Sequence, residues 1–322
     1  MDVTEKPLGV GEILDRSLQI YRQHFAVIFM FVVLFLGPAY LISQAVAFDF
    51  NGIRWIPDRD MTFEQAFNLL YYDSDELSPL ALTVTFFLFP LYMLFVFPVI
   101  LTSHLELVRL AREGKPVLFN VLLKRAFQRY FPAVGNTFLF GVLIIVIYSV
   151  LIMVLAIGLA VTISVIAAIG NQLDFMNDPF GASAVFFITF GLLYAFIILV
   201  SLIVIYFFMI RLCFYHPAVV LEGERLGLGR SWALTRRSFG RIFAVFLISS
   251  VLFGVFSFAS YGVLVLFKLS LIGHILSVLL QLILLPIFVI PYAVVYFDQK
   301  NRIDGADLEA AIEAQRMEVQ HG

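Results

Sequence analysis

Residues 130–173 read YFPAVGNTFLFGVLIIVIYSVLIMVLAIGLAVTISVIAAIGNQL, and these 44 residues contain no Asp, Glu, Lys or Arg. As one helix they would extend roughly 66 Å at 1.5 Å per residue. A bilayer offers about 30 Å of hydrocarbon, which about 20 apolar residues cross. The stretch is therefore either two helices in a tight hairpin or one helix that outruns the membrane. That choice sets the number of spans and the side on which everything downstream lies.

The rest of the 322-residue chain shows what kind of protein carries such a run. Charged residues make up 14% and hydrophobic residues 61%. Soluble domains are about 25% charged. With a mean hydropathy of +0.98, the composition places the chain in a membrane. The single cysteine, Cys213, excludes an internal disulfide and any cysteine-rich metal site. Six runs free of Asp, Glu, Lys and Arg are long enough to span: 23–48, 77–105, 130–173, 179–210, 242–267 and 269–297.

Charge bias decides the long run. With the N-terminus placed in the cytoplasm and six crossings, 18 of the 21 Lys and Arg residues fall on the inner side. They lie before residue 25, in 106–129, in 211–241 and after residue 297. Such a split is the positive-inside pattern. A hairpin within 130–173 would put the six cations of 211–241 outside. The reading is an all-α polytopic fold, one integral membrane domain with spans about 25–47, 79–103, 132–160, 184–210, 242–267 and 271–297. Both termini are expected in the cytoplasm, with 298–322 as a short tail and 159–170 prolonging the third helix or lying on the outer interface. Ala45-Val46-Ala47 has the form of a signal-peptidase site. The apolar run before it exceeds the usual 7–15 residues, and cleavage is not expected.

Pro38, Pro90, Pro98, Pro286 and Pro291 fall inside apolar runs and should kink their helices, which membranes tolerate where neighbours re-satisfy the backbone. Pro132 fits a first turn.

The inner segments are amphipathic. Leu14, Leu18, Tyr21 and Phe25 share one helical face, and Leu228, Trp232, Thr235 and Phe239 repeat its spacing. Residues 14–29 and 228–243 agree at seven of sixteen positions. A looser analogue, Leu118, Leu122, Ala126 and Phe127, precedes the third span. The chain thus reads as three parallel units, each an inner amphipathic helix followed by a spanning pair, an arrangement known from internally repeated membrane proteins. The outer segment 49–76 carries seven acids against two arginines, and Phe63, Ala66, Phe67 and Leu70 predict a helix on the outer leaflet. In the tail, Asp304-Gly305 predicts a turn and cap before a short helix at 308–312.

Chemistry is sparse. His24, His104 and His216 all fall near the inner ends of spans, where His suits the headgroup zone, and no Cys or carboxylate spacing supports a metal. No Asp or Glu lies inside a predicted span, whereas proton-coupled transporters carry such groups. The polar residues within spans are Ser43, Gln44, Asn136, Tyr148, Ser149, Ser201, Tyr206 and Gln281. Asn136 and Gln281 are the candidate midplane groups, read as inter-helix hydrogen bonds. Gly223, Gly227 and Gly229 with Arg225 and Arg230 lack the strand and the Lys-Ser/Thr of a nucleotide loop. Neither cofactor nor nucleic-acid partner is expected. Arg16, Arg22, Arg125, Arg230, Arg236 and Arg237 are the candidate contacts to anionic headgroups or to a protein partner. At least one of Arg16 and Arg230 is expected to pair with an acid, from Asp15, Glu222 and Glu224.

The run Phe214-Tyr215-His216-Pro217-Ala218-Val219-Val220-Leu221-Glu222-Gly223, followed by Arg230-Ser231-Trp232 and Arg236, resembles the membrane domain attached to some bacterial glycerophosphodiester phosphodiesterases. Leu8-Gly9, Glu12 to Ser17, Tyr21-Arg22 and Phe25 fit the same pattern, as do Tyr296, Asp298, Lys300, Arg302, Asp304, Gly305, Asp307 and Leu308. The resemblance implies a bacterial cell-membrane module. It does not imply the hydrolase: the two-domain enzymes carry a separate barrel with a His-Arg pair, whereas this chain has no His-Arg dipeptide and no room for a barrel of about 250 residues. The expected function is a non-enzymatic module that docks a partner or organises lipid. The alternative is a transporter or lipid translocator for a small amphiphile.

Overall fold

The computed structural model describes residues 8–47, 60–65, 79–170 and 182–321. Among these the chain is helical without strands: α1 (Val10–Gln23), α2 (Phe25–Ala47), α3 (Phe89–Arg112), α4 (Phe119–Gln128), α5 (Tyr130–Gly170), α6 (Ala182–Leu212), α7 (Gly227–Thr235), α8 (Phe239–Leu266), α9 (Leu271–Leu284) and α10 (Pro286–His321). A short helix, Pro79–Thr83, and a π-helical turn, Val84–Leu88, lead into α3. Six helical stretches are long and apolar enough to cross a membrane, which makes this an all-α, multi-pass membrane architecture. The run quoted above is one helix of 41 residues, α5. Residues 159–170 prolong it.

The chain divides into two compact units, 1–136 with 214–322, and 137–213. In the second unit, Thr162 bonds the Tyr194 hydroxyl at 3.2 Å, joining α5 to α6. Ser149, Thr162 and Ser164 donate their hydroxyls to the carbonyl four residues earlier, the default for a hydroxyl in an apolar helix.

The first unit packs around Val32 and Leu36 of α2, Ile100 of α3, and Val278 and Leu282 of α9. The sixth span is broken at Leu285, before Pro286, so that α9 and α10 are separate helices. Proline has no N–H, and its ring crowds the turn before it. Three tyrosines answer this in the same way. Tyr21 donates to the Ile283 carbonyl at 2.9 Å, Tyr92 to that of Phe35, and Tyr130 to that of Phe95 at 3.1 Å. Each acceptor lies three residues before a proline: Pro286, Pro38 and Pro98. Pro90 is seated differently, in the first turn of α3 after the π-helical turn.

Helix α1 lies lengthwise against the sixth span. Its start is tied to α10 by Leu8 N–H donating to Asp298 at 3.0 Å, and its end by Tyr21 and Ile283. The predicted stripe is only partly enclosed by the rest of the chain. The buried residues of α1 are Ile13, Ser17 and Ile20, whereas Leu18 and Phe25 of the predicted stripe remain exposed. In helix α7, Gly227, Ser231 and Leu234 are buried together with Thr235 of the predicted stripe, while Trp232 is exposed. Each helix thus has two non-polar faces. A face of small and branched residues packs on protein, and one of large residues stays open to the surroundings.

The junctions after α1, α4 and α7 share one geometry. His24, Arg129 and Ser238 have φ/ψ of −117°/21°, −122°/35° and −134°/22°. Each carbonyl accepts the N–H four residues on, from Ile28, Ala133 and Ile242 at 3.0–3.1 Å. All three of those residues are buried. After the first and third junctions two phenylalanines stack, Phe25 on Phe29 and Phe239 on Phe243.

The tail corrects an expectation. Asp304 and Gly305 lie inside α10, which continues unbroken to His321. No turn or cap forms, because a single glycine costs a helix only about 1 kcal/mol relative to Ala. Of the outer segment, residues 63–65 are helical. The remainder of the predicted outer-leaflet helix, and most of 49–76, lies outside the described residues.

Candidate functional site

The charged groups of the first unit are organised around three carboxylates. Glu106 of α3 accepts from Arg109 at 2.7 Å and from Arg125 of α4 at 2.8 Å. Glu222 accepts the Tyr296 hydroxyl at 2.6 Å and Arg230 Nε at 2.7 Å, with Lys300 Nζ at 3.6 Å. Asp298 accepts the Leu8 N–H and Arg302 Nε at 2.9 Å, with Arg241 Nη2 at 3.3 Å. Each acid is largely buried, and each faces two cations. A lone buried carboxylate would be costly, and pairing with donors from several elements offsets that cost. The result ties α3 to α4, the 214–223 segment to α7 and α10, and the N-terminus to α8 and α10.

Arg230 is the most connected of the predicted residues. Its Nε reaches Glu222, one of the acids expected for it, and its Nη2 reaches Asp304 at 2.8 Å. Burial by itself would lower the Arg230 pKa. The hydrogen bonds to Asp304 and Glu222 outweigh it and raise the pKa further, which keeps the guanidinium charged. Arg125 is likewise engaged, with Glu106. Arg16 is half-buried, while Arg22, Arg236 and Arg237 are exposed. The six candidates thus divide. Arg125 and Arg230 hold the fold, whereas Arg22, Arg236 and Arg237 face outward.

The glycine-rich loop is explained by packing. A Cβ on Gly227 would fall 1.9 Å from the Tyr215 carbonyl oxygen, so only glycine lets α7 approach that segment. Gly223 has φ +85°, a left-handed conformation, and the Arg129 guanidinium lies where its side chain would be. Arg129 itself donates to the Val219 carbonyl. Ser231, the serine of the repeated Arg-Ser, accepts the Phe214 N–H at 2.9 Å.

The two candidate midplane groups are both occupied and lie apart in the fold. Asn136 donates to the carbonyls of Pro132 and Arg225, at 3.0 and 3.1 Å, and accepts from Gly227 N–H. It clamps the start of α5 to the glycine loop. Gln281 donates to Ser260 at 3.3 Å, joining α9 to α8. Of the histidines, His216 bonds Thr102 at 2.9 Å and His104 bonds the Ile100 carbonyl at 2.7 Å. Among the described residues no group of three His, Cys, Asp or Glu side chains is placed to hold a metal ion.

Sequence reading did not single out Glu106, Arg109 or Arg241 as network members. The network spans up to 294 residues of sequence, which helical spacing cannot detect. A usable signal did exist. Glu222, Arg230, Tyr296, Asp298, Lys300, Arg302 and Asp304, all quoted for the family resemblance, meet in these clusters. No protein-family model, curated protein or solved structure matches this chain.

Proposed function

We propose that this chain is a non-enzymatic integral membrane module that organises anionic lipid at its basic end, where a protein partner can also dock. One observation carries the reading: the division of the arginines. Glu106, Glu222 and Asp298 take up the cations that hold the fold together. Arg22, Arg236 and Arg237 sit exposed on the helix junctions instead. Beside them Leu18 and Trp232, 41% and 40% exposed, offer apolar surface. Exposed cations next to exposed large apolar groups suit the boundary between acyl chains and anionic headgroups.

The alternative of transport rests on polar groups open at the midplane. The engagement of Asn136 and Gln281 with local partners favours the module. The three matched junctions support reading the chain as three related units, each an inner helix leading into a spanning pair. The family resemblance accords with a membrane module of the bacterial cell membrane that lacks diesterase chemistry.

The test is to extract the chain in polymer-bounded native discs and quantify the phospholipid carried with it. Enrichment in anionic lipid over the bulk membrane is expected, together with no release of glycerol phosphate from glycerophosphodiesters. Transport of a fluorescent short-chain lipid by proteoliposomes, above protein-free vesicles, would favour the alternative.

A further inference from the structure

The surface of the first unit changes character partway along the second and sixth spans. Outward of that change the exposed large groups are apolar: Leu91, Phe95 and Phe97 on the second span, Ile275, Leu279 and Phe288 on the sixth. Residues 79–97 and 271–288 contain no Asp, Glu, Lys or Arg. Inward of it, residues 98–108 of α3 and 289–299 of α10 are buried without a break. A helix that faces lipid leaves one side open, whereas these stretches are closed on every side. The helices that enclose them expose polar groups: Glu12, Asp15 and Gln19 on α1, Asn120 and Lys124 on α4. Hydrocarbon offers such groups neither hydrogen bonds nor counter-charges, so this surface belongs in water.

The change coincides with the helix junctions. Tyr21, just before the His24 junction, donates to the Ile283 carbonyl, and Tyr130, just after the Arg129 junction, to that of Phe95. Both acceptors lie a turn or two outward of the change. Aromatic rings gather at the same places, Tyr21 against Phe25, Phe127 against Tyr130, and Phe239 on Phe243. The exposed Arg22, Arg236 and Arg237 sit beside two of the three. Aromatic rings with cations mark the inner headgroup layer of a membrane protein.

We infer that the inner headgroup layer meets the protein at the three junctions, and that α1, α4 and α7, with the inner ends of α3 and α10, stand beyond it in water as a helical head. Helix α1 runs from Asp298 at its start to Ile283 at its end. It therefore stands on the bilayer instead of lying along it. Its 14 residues rise about 21 Å at 1.5 Å per residue. The hydrocarbon ends near Phe97 and Phe288, short of the limits of 103 and 297 read from the sequence. Glu106, Glu222 and Asp298, with their cations, then belong to the head and not to the membrane.

The inference deepens the reading of the junction arginines as headgroup contacts, but it does not depend on the charge of the lipid. The full chain, with Cys213→Ser, takes single spin labels at exposed positions and is reconstituted in phosphatidylcholine vesicles. Collision rates with a water-soluble nickel chelate and with oxygen give the depth of each label. The labels on α1 are at Gly11→Cys, Asp15→Cys and Gln23→Cys, and those bounding α4 at Leu118→Cys, Lys124→Cys and Phe127→Cys. A Cβ at Gly11 meets nothing within 4 Å, and Leu118 and Phe127 are 52% and 48% exposed, so the labels should leave the melting temperature unchanged. Chelate collisions should fall several-fold from Gly11 to Gln23 and from Leu118 to Phe127, with the middle positions between. A label at Met30→Cys on α2 should meet oxygen alone. Equal depth at the two ends of either helix would show that it lies along the surface, which overturns the inference. So would a label at Leu118 that oxygen reaches and the chelate does not. An upright profile in a chain whose native discs hold lipid of bulk composition sinks the general function and leaves the head standing. A flat profile with anionic enrichment does the reverse.

Discussion

Tyr296 gives its hydroxyl proton to Glu222 across 2.6 Å, joining two positions 74 residues apart at a point where Arg230 and Lys300 also converge. Tyr296 is fully buried, so the ring is held by packing on Phe214 and Phe297 while the hydroxyl is held by the carboxylate. The pair fastens α10 to the segment that leads into α7.

Tyr296→Phe keeps that packing and removes the proton. Glu222 then keeps its cations but loses its shortest bond. A hydrogen bond to a charged group contributes about 1.5–3 kcal/mol. The variant should insert normally and melt several degrees lower, measured in detergent by tryptophan fluorescence. An unchanged melting temperature would show that Arg230 and Lys300 suffice.

Arg230 bridges Glu222 and Asp304 through two separate nitrogens. Lysine presents a single point of charge and cannot make both contacts in that geometry. Arg230→Lys should therefore destabilise, whereas Arg236→Lys and Arg237→Lys, at exposed positions, should not. Urea midpoints of the three variants measure this. Equal midpoints would place Arg230 with the surface cations.

Gly227 and Gly229 look alike in sequence and differ in space. A Cβ on Gly227 would overlap the Tyr215 carbonyl, while one on Gly229 would meet nothing within 4 Å. Gly227→Ala should abolish stable accumulation, and Gly229→Ala should match or slightly exceed wild type. Expression as a fluorescent fusion separates the two.

The tyrosine-to-carbonyl bonds before prolines should each be worth a modest amount. Removing one donor costs about 0.5–1.5 kcal/mol, so Tyr21→Phe should lower the melting temperature slightly. Pro286→Ala in the same chain lets the helix straighten so that Ile287 N–H can reach the Ile283 carbonyl, and should remove most of that effect. Equal loss with and without Pro286 would mean that Tyr21 does not compensate the break.

Much of the fold was legible because hydropathy and charge bias are local or additive signals. The single 41-residue helix at 130–170 was the reading that kept the cations of 211–241 on the expected inner side. The similar stretches at 14–29 and 228–243 each run through a helix junction, at His24 and at Ser238, with closely similar backbone angles. The choice of buried face was not legible. Leu14–Leu18 and Leu228–Trp232 are the more hydrophobic stripes, and periodicity marked them without showing which residues would pack on protein. In a membrane protein large apolar groups can face lipid at no cost, and helix–helix contacts prefer small residues. Ser17, Gly227 and Ser231 therefore went inward. The acid–base clusters were illegible for another reason. Glu106, Glu222 and Asp298 acquire their partners only when distant helices meet, as Leu8 and Asp298 do. The continuity of α10 through Gly305 shows the limit of turn rules beside an otherwise strong helix.

The central claim is that exposed arginines at the helix junctions gather anionic lipid while the paired ones hold the fold. Its most direct test is the lipid composition of native discs carrying wild type and the Arg22→Gln/Arg236→Gln/Arg237→Gln chain. The wild type should be enriched several-fold in anionic phospholipid over the bulk membrane, and the triple variant should return to bulk composition with an unchanged melting temperature. A wild type at bulk composition, or a triple variant that keeps the enrichment, would contradict it.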